Sequence, residues 1–140
     1  MTYELTLAPT VDSVGVGRRL VGEALSEWGL DALSYTATLL TSEVLTNSVL
    51  HARTTIVLSV ERSAPSAVTI SVHDGSSLVP RRRPHARDTA TGRGLELLDR
   101  LSQGWQVDVD KDGKTLTFTV AAERDPWAEF AGADWSDATS

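Results

Sequence analysis

The sequence contains no cysteine among its 140 residues. This absence excludes disulfide bonds, thiolate metal sites and cysteine nucleophiles, and it favours a reducing compartment. No apolar run approaches the roughly 18–20 residues that are needed to cross a bilayer. The first residues, MTYELTLAP, also lack the basic and apolar segments of a signal peptide. We therefore expect a cytoplasmic protein with no membrane partner.

The charge of the chain argues against direct binding to nucleic acid. The formal net charge is -6, which disfavours non-specific adhesion to DNA or to anionic lipid. Positive charge is concentrated in one segment, PRRRPHAR, at 80–87, which contains Arg81, Arg82 and Arg83. Two interpretations of this basic segment stay open, a contact with a local anion such as a phosphate and a solvated loop.

The periodicity of apolar residues predicts five strands and three helices. Alternation with period 2 indicates strands at 3–7, 55–61, 67–74, 105–110 and 116–121. Apolar residues at helical spacing, with capping residues and glycine stops, indicate helices at 11–28, 31–51 and 92–101. A turn rich in glycine and lysine, at 111–115, is expected to join the last two strands.

The order of these elements predicts an α+β fold. Helices and strands are grouped unevenly, which indicates a two-layer α/β sandwich in which helices cover one face of a mixed, mostly antiparallel sheet. We expect one domain over residues 1–122. Residues 123–140 carry small and acidic residues without an apolar period and are predicted to form a flexible tail, with Trp127, Phe130 and Trp135 as docking points. The long non-periodic stretch at 75–91 is typical of a functional or mobile loop.

Three polar residues recur at helical spacing within TSEVLTNSVLHA, at 41–52. Glu43, Asn47 and His51 lie four residues apart, so a regular helix would place them along one side. Asparagine is a poor helix former, which suggests a task for its amide. A carboxamide oxygen suits Mg²⁺, and a carboxylate one turn earlier could deprotonate a hydroxyl that attacks phosphorus. The alternative is a solvated polar face.

Two further motifs carry weaker signals of their own. Asp74 and Gly75 follow an apolar strand, where a carboxylate could accept a hydrogen bond from an amino group of a ligand; an ordinary Asp-Gly turn is the alternative. In TGRGLELL, at 91–98, Gly92 and Gly94 are expected to open a helix whose N-terminal amides face an anion. Neither the dinucleotide-binding fingerprint nor the P-loop pattern is present.

Together, in this order and spacing, the motifs resemble those of a known superfamily. The chain, over about residues 6–120, is similar to the ATP-binding domain shared by DNA gyrase, heat-shock protein 90, histidine kinases and MutL, often called the Bergerat fold. Within it, the chain most resembles the small stand-alone anti-sigma factor/serine kinase group. The bound ligands that this resemblance implies are ATP and Mg²⁺.

The resemblance also implies roles for individual residues. It makes Asn47 the Mg²⁺ ligand, Glu43 the general base of the kinase members, and His51 a neighbour of the phosphates. It makes Asp74, followed by Gly75, the residue that reads the adenine amino group. The remaining implied ligand-binding residues are the phosphate-wrapping Gly92, Arg93, Gly94 and Leu95, and Thr115 near the adenine. The family pattern at this point is Asp-x-Gly-x-Gly, whereas the sequence here is Asp74-Gly75-Ser76-Ser77, so the second half of the pattern is degenerate.

Three hypotheses follow for the function. The first is a serine kinase that transfers the γ-phosphoryl of ATP to an antagonist protein of the anti-anti-sigma type and thereby switches partners, with a sigma factor among them. The retained Glu43 favours this hypothesis. The second is an ATP-binding module that acts through protein contacts alone. The loss of glycine from the Asp-x-Gly-x-Gly pattern favours this hypothesis. The third is a two-layer domain without nucleotide. Homodimers are usual in the group that the chain resembles.

Overall fold

The computed structural model describes residues 1–76 and 90–122, with side chains over 1–76 and 94–122. Within these residues the chain forms five strands and three α-helices, together with a short 3₁₀ turn and a π-helical segment. In chain order these are β1 (Thr2–Leu7), α1 (Val11–Glu27), the 3₁₀ turn (Asp31–Leu33), α2 (Ser34–Asn47), the π segment (Ser48–Ala52), β2 (Ile56–Ala64), β3 (Ala67–Asp74), α3 (Ala90–Leu101), β4 (Gly104–Asp110) and β5 (Gly113–Ala121).

The five described strands form one sheet with the order β1-β2-β3-β5-β4. All four pairings between these strands are antiparallel. Successive side chains of a strand point to opposite faces of a sheet. In β3 the residues at even numbers from Val68 to Asp74 are buried, whereas Thr69, Ser71 and His73 are only half-buried. The sheet therefore has one covered face and one open face.

The helices pack on the covered face and enclose a single apolar core. Its fully buried members come from all three helices and from β1, β2, β3 and β5. The largest completely buried side chains are Phe118, Leu25, Leu40, Leu45, Ile56, Leu58, Ile70, Leu95 and Leu98. Burial of apolar area of this kind is the main stabilising contribution to a domain of this size. This arrangement confirms the predicted α+β two-layer sandwich.

The helix predicted at 31–51 consists of three different pieces. A 3₁₀ turn precedes α2, and a π-helical segment follows it. The π segment ends at Arg53, whose φ of 54° is left-handed and ends the helical path. A π turn closes its hydrogen bond over five residues rather than four, so it shifts the side chains that follow relative to those of α2. The predicted single file of Glu43, Asn47 and His51 therefore does not continue beyond α2.

Two other boundaries differ from the prediction. α3 begins at Ala90, two residues before the predicted start at Gly92, so Gly92 and Gly94 lie inside its first turns. β5 begins at Gly113, so only Lys111 and Asp112 form the turn that was expected to span 111–115. The earlier start of β5 extends the ladder with β3 as far as the pair Asp74–Lys114.

Within residues 1–76 and 90–122, no helix is long and apolar enough to cross a membrane. The predicted tail at 123–140, with Trp127, Phe130 and Trp135, lies outside the described residues, as does most of the loop at 75–91, including Arg81, Arg82 and Arg83.

Candidate functional site

The first part of the site lies where α2 packs against the beginning of α3. Glu43 and Asn47 are one helical turn apart and face α3 at Gly94. A Cβ atom on Gly94 would lie 3.1 Å from Asn47 Nδ2 and 3.6 Å from Glu43 Cβ. Glycine therefore allows the α3 backbone to approach these two side chains closely. Glu43 is only 5% exposed.

The amide oxygen of Asn47 is the most informative atom of this part. Asn47 Oδ1 is buried, and it has no hydrogen-bond partner among the described residues. A buried carbonyl oxygen without a partner is unfavourable by about 1–3 kcal/mol, so such atoms are rare in folded proteins. A ligand that supplies a positive charge or a donor would satisfy it.

The next residue, Ser48, lies against the end of β3. Ser48 Oγ donates a hydrogen bond of 2.8 Å to Asp74 Oδ2, and both residues are buried. Because Ser48 directly follows Asn47, this bond joins the α2–α3 part of the site to the end of the sheet. His51, three residues later, is exposed.

The second part of the site is a buried ion pair at the end of β3 and β5. Asp74 is 1% exposed, and Lys114 Nζ lies 2.9 Å from its Oδ1 and 3.1 Å from its Oδ2. The backbone N–H of Ser76 donates a further bond of 3.0 Å to Oδ1. Removing two opposite charges from water is unfavourable unless their geometry and hydrogen bonds compensate. Here the carboxylate has donors on both oxygens.

The strand ends that carry this ion pair lie unusually close together. Gly113 has a φ of +138°, and a Cβ atom there would overlap the carbonyl oxygen of Asp74 and lie 2.7 Å from Gly75 Cα. Only glycine avoids both the backbone strain and the overlap. On the other side, the N–H of Gly75 donates a 2.7 Å hydrogen bond to Thr54 Oγ1. The position of Asp74 is therefore fixed by its neighbours along the chain and across the sheet.

Thr115 is not brought together with Asp74. It lies on the open face of the sheet, where its hydroxyl is 3.0 Å from His73 Nδ1. Its neighbour Lys114 is the β5 residue that points to the covered face beside Asp74. The period of two in a strand thus separates the implied adenine-contacting threonine from the implied adenine-reading aspartate.

The implied phosphate-wrapping residues lie on α3. Gly94 contacts the α2 site residues, and Leu95 is 2% exposed and packs into the apolar core. Leu95 therefore anchors the helix through its side chain. Gly92 lies within α3, and the side chain of Arg93 is outside the described part of the chain. The roles of these residues toward phosphate stay predictions.

Sequence reasoning missed two residues of the site, Ser48 and Lys114. Lys114 had a usable signal, because the buried residues Leu116, Phe118 and Val120 alternate along β5 and the same alternation reaches back to position 114. Ser48 also had a signal, because it lies four residues after Val44 and eight after Leu40, on the buried stripe of α2.

The residues present fit a magnesium ion that keeps most of its waters. No group of three or more His, Cys, Asp or Glu residues that could hold a metal occurs among the described residues. Mg²⁺, however, is commonly bound through one or two protein oxygens together with phosphate oxygens and water. The buried, unpartnered Oδ1 of Asn47 is an oxygen of this kind.

Comparison with known proteins places the chain in a family. The family model described as histidine kinase-like ATPase domain matches residues 7–120, from the last residue of β1 to the penultimate residue of β5. A search of curated proteins gives no significant match. The match contains both parts of the site, and membership of the family implies ATP binding. The chain belongs to the histidine kinase-like ATPase domain family.

Proposed function

We propose that this protein binds ATP with Mg²⁺ and is a regulatory serine kinase, which transfers the γ-phosphoryl group to a serine of an antagonist protein. The observation that carries the proposal is the pairing of Glu43 with Asn47 on one face of α2. Both side chains face the start of α3, and the amide oxygen of Asn47 is buried without a partner among the described residues. A carboxylate and an oxygen ligand beside a helix N-terminus are the groups that phosphoryl transfer requires.

Each part of the site has a separate task in this proposal. Asp74 and its neighbours bind the base at the end of the sheet. The N-terminal turns of α3, which carry a partial positive charge, face the phosphates. Asn47 Oδ1 would hold the magnesium ion, which would supply positive charge to neutralise the phosphates.

The chemical step places Glu43 at the attacking hydroxyl. The oxygen of the substrate serine forms a bond to the γ-phosphorus while the bond from phosphorus to the β–γ bridging oxygen breaks. The serine proton passes to the Glu43 carboxylate, and ADP leaves with the electron pair of the broken bond. A base acts in this way only if it comes within hydrogen-bond distance of the hydroxyl.

A second candidate function is supported by the burial of that same carboxylate. Glu43 is 5% exposed, and a base must be reached by the hydroxyl of another protein. An ATP-binding module that regulates through protein contacts alone needs no such access. In this alternative ATP changes which partner is bound and is not consumed.

Nucleotide binding is tested by thermal unfolding with and without ATP and Mg²⁺. A ligand that binds only the native state stabilises it by about 2.7 kcal/mol at a hundred times its Kd, which raises Tm by several degrees in a domain of this size. We expect Asn47→Ala to lose the part of the increase that depends on Mg²⁺. An absence of any shift in the unaltered protein at millimolar nucleotide would contradict both functions.

Phosphoryl transfer is tested with labelled ATP and each antagonist-type protein encoded in the same genome, scored as phosphoserine. Glu43→Gln preserves size and removes the charge, so we expect ATP binding to persist while transfer falls by a factor of about 10²–10⁴. The matched control is Glu23→Gln at an exposed position of α1, which should leave transfer unchanged. ATP binding without transfer in the unaltered protein favours the second candidate.

The proposed partners are an antagonist protein and a sigma factor. Phosphorylation of the antagonist would change which of the two is held, because an added phosphate brings about two negative charges to an interface. Pull-down of each partner before and after phosphorylation measures this switch directly. Binding that does not depend on phosphorylation would remove the switching step while leaving the kinase proposal intact.

A further inference from the structure

Lys114 is a charged residue that the proposed mechanism does not use. Its side chain is 10% exposed, and its ammonium is paired with Asp74 on the covered face of the sheet. Lysine is almost never buried to this extent unless it is paired, and it extends a flexible stem that can reposition its charge. Because Asp74 binds the base in the proposed function, this contact lies beside the proposed base site.

The carboxylate of Asp74 has no free position for an additional hydrogen-bond donor. An ionised carboxylate has about four lone-pair positions. Oδ1 receives the ammonium of Lys114 and the N–H of Ser76, whereas Oδ2 receives the same ammonium and the hydroxyl of Ser48. A ligand amino group must displace one of these four contacts.

The contact between Lys114 and Oδ2 is the longest of the four. At 3.1 Å it is the longer of the two contacts of the ammonium, and its loss leaves the 2.9 Å contact with Oδ1 in place. The ion pair thus survives. Release frees one lone pair on Asp74 and one N–H on Lys114 at the same time, side by side.

We propose that Lys114 and Asp74 read the nucleobase together, with Lys114 donating a hydrogen bond to the ring acceptor beside the amino group that Asp74 accepts. On adenine these are N1 and the N6 amino group, which are adjacent on one edge of the base. Lys114 is then a specificity-determining residue of the site. This inference rests on the proposed binding of ATP.

The charge of the pair favours the same kind of ligand. Lys114 neutralises the charge of Asp74, so the site for the base is neutral as a whole. The uncharged edge of a base with one donor and one acceptor is complementary to this site. An isolated buried carboxylate would instead favour a cation or a ligand with donors only. Because the ammonium offers three N–H groups and no acceptor, it discriminates against a C–H at the position of N1.

The experiment compares ATP with 1-deaza-ATP, in which N1 is replaced by a C–H group. Kd is measured for the unaltered protein, for Lys114→Met, and for Lys111→Met, which makes the same change at an exposed turn residue. A hydrogen bond from a charged donor is worth about tenfold or more in affinity. We expect the unaltered protein and Lys111→Met to bind 1-deaza-ATP about tenfold or more weakly than ATP, and Lys114→Met to bind both alike.

Two further variants keep the test decisive if Lys114→Met does not fold. Lys114→Arg keeps the charge and the donors, and should keep the discrimination against 1-deaza-ATP. The double variant Asp74→Asn with Lys114→Met removes both charges together, and should lose it. Equal affinity of the unaltered protein for the two nucleotides would overturn the inference, as would discrimination that persists in a folded Lys114→Met. Failure to bind ATP at all would instead overturn the proposed function.

Discussion

The two faces of the sheet differ clearly where β3 pairs with β5, and two adjacent residue pairs of these strands show the difference. On the covered face, Asp74 pairs with Lys114 at almost complete burial. One residue earlier on β3 and one later on β5, His73 pairs with Thr115 on the open face, where both side chains are half-buried. The same strands, with the same register, therefore present an enclosed ion pair on one side and a hydroxyl-rich surface on the other.

This difference shows that the surroundings of a polar pair determine how much the pair affects the free energy of unfolding. The open face continues as a series of neutral contacts, with 3.0 Å between the hydroxyls of Thr69 and Thr119 and 3.1 Å between those of Ser71 and Thr117. Such contacts exchange with water at little net change in free energy. Charges on the covered face act in a lower dielectric, so removal of one partner has a large effect.

The largest expected effect is that of Asp74→Ala. It leaves the ammonium of Lys114 buried without its counter-ion, so we expect the free energy of unfolding to fall by about 3–5 kcal/mol. The measurement is urea unfolding at neutral pH. Adding Lys114→Met to the same variant should recover much of this loss, because the unpaired charge is then absent. A loss below about 1 kcal/mol in the single variant would contradict the burial of the pair.

An intermediate effect is expected from Gly113→Ala, at the close approach beside Asp74. The added Cβ would meet the carbonyl oxygen of Asp74 at a backbone conformation that alanine rarely adopts, so we expect a loss of about 3 kcal/mol. Gly15→Ala in α1 is the control, since nothing lies within 4 Å of its added Cβ. That change should be neutral or stabilise by about 0.5–1 kcal/mol. Similar results for both variants would mean that the strand ends are not held together.

The smallest effect is expected on the open face, from Thr115→Val. The change removes a hydroxyl bonded to His73 while keeping the shape, so the free energy of unfolding should change by less than about 1 kcal/mol. The increase in Tm caused by ATP and Mg²⁺ should stay the same. A tenfold loss of ATP affinity would instead support the contact between Thr115 and adenine that the family resemblance implies. It would contradict the assignment of base binding to the covered face alone.

The fold was largely predictable because its signals are local. The alternation of buried residues in β3 and β5 and the apolar stripes of α1 and α2 are properties of short segments. Together with the order of the elements, they are sufficient for an α+β sandwich with helices on one face. Glu43 and Asn47 were also accessible to sequence reasoning, since one regular helical turn brings them to the same side.

The site was less predictable where its geometry depends on a boundary. The π segment after Asn47 shifts His51 relative to the file of α2, and His51 is exposed. Lys114 lies on the covered face beside Asp74, and Thr115, which the resemblance implies near the adenine, lies on the open face. A shift of one residue in a strand reverses the face of every side chain, and turn signals do not specify a boundary to that accuracy.

The sequence by itself determined which elements form and which face of each is apolar, because both follow from the spacing of residues along a few turns of helix or a few residues of strand. Only the tertiary structure decided which polar residues meet. Ser48 and Lys114 are 26 and 40 residues from Asp74, and their contacts with it depend on the register of β3 with β5 and on the position of the segment that follows α2. Such contacts arise from the packing of the sheet against α2, which no local pattern encodes.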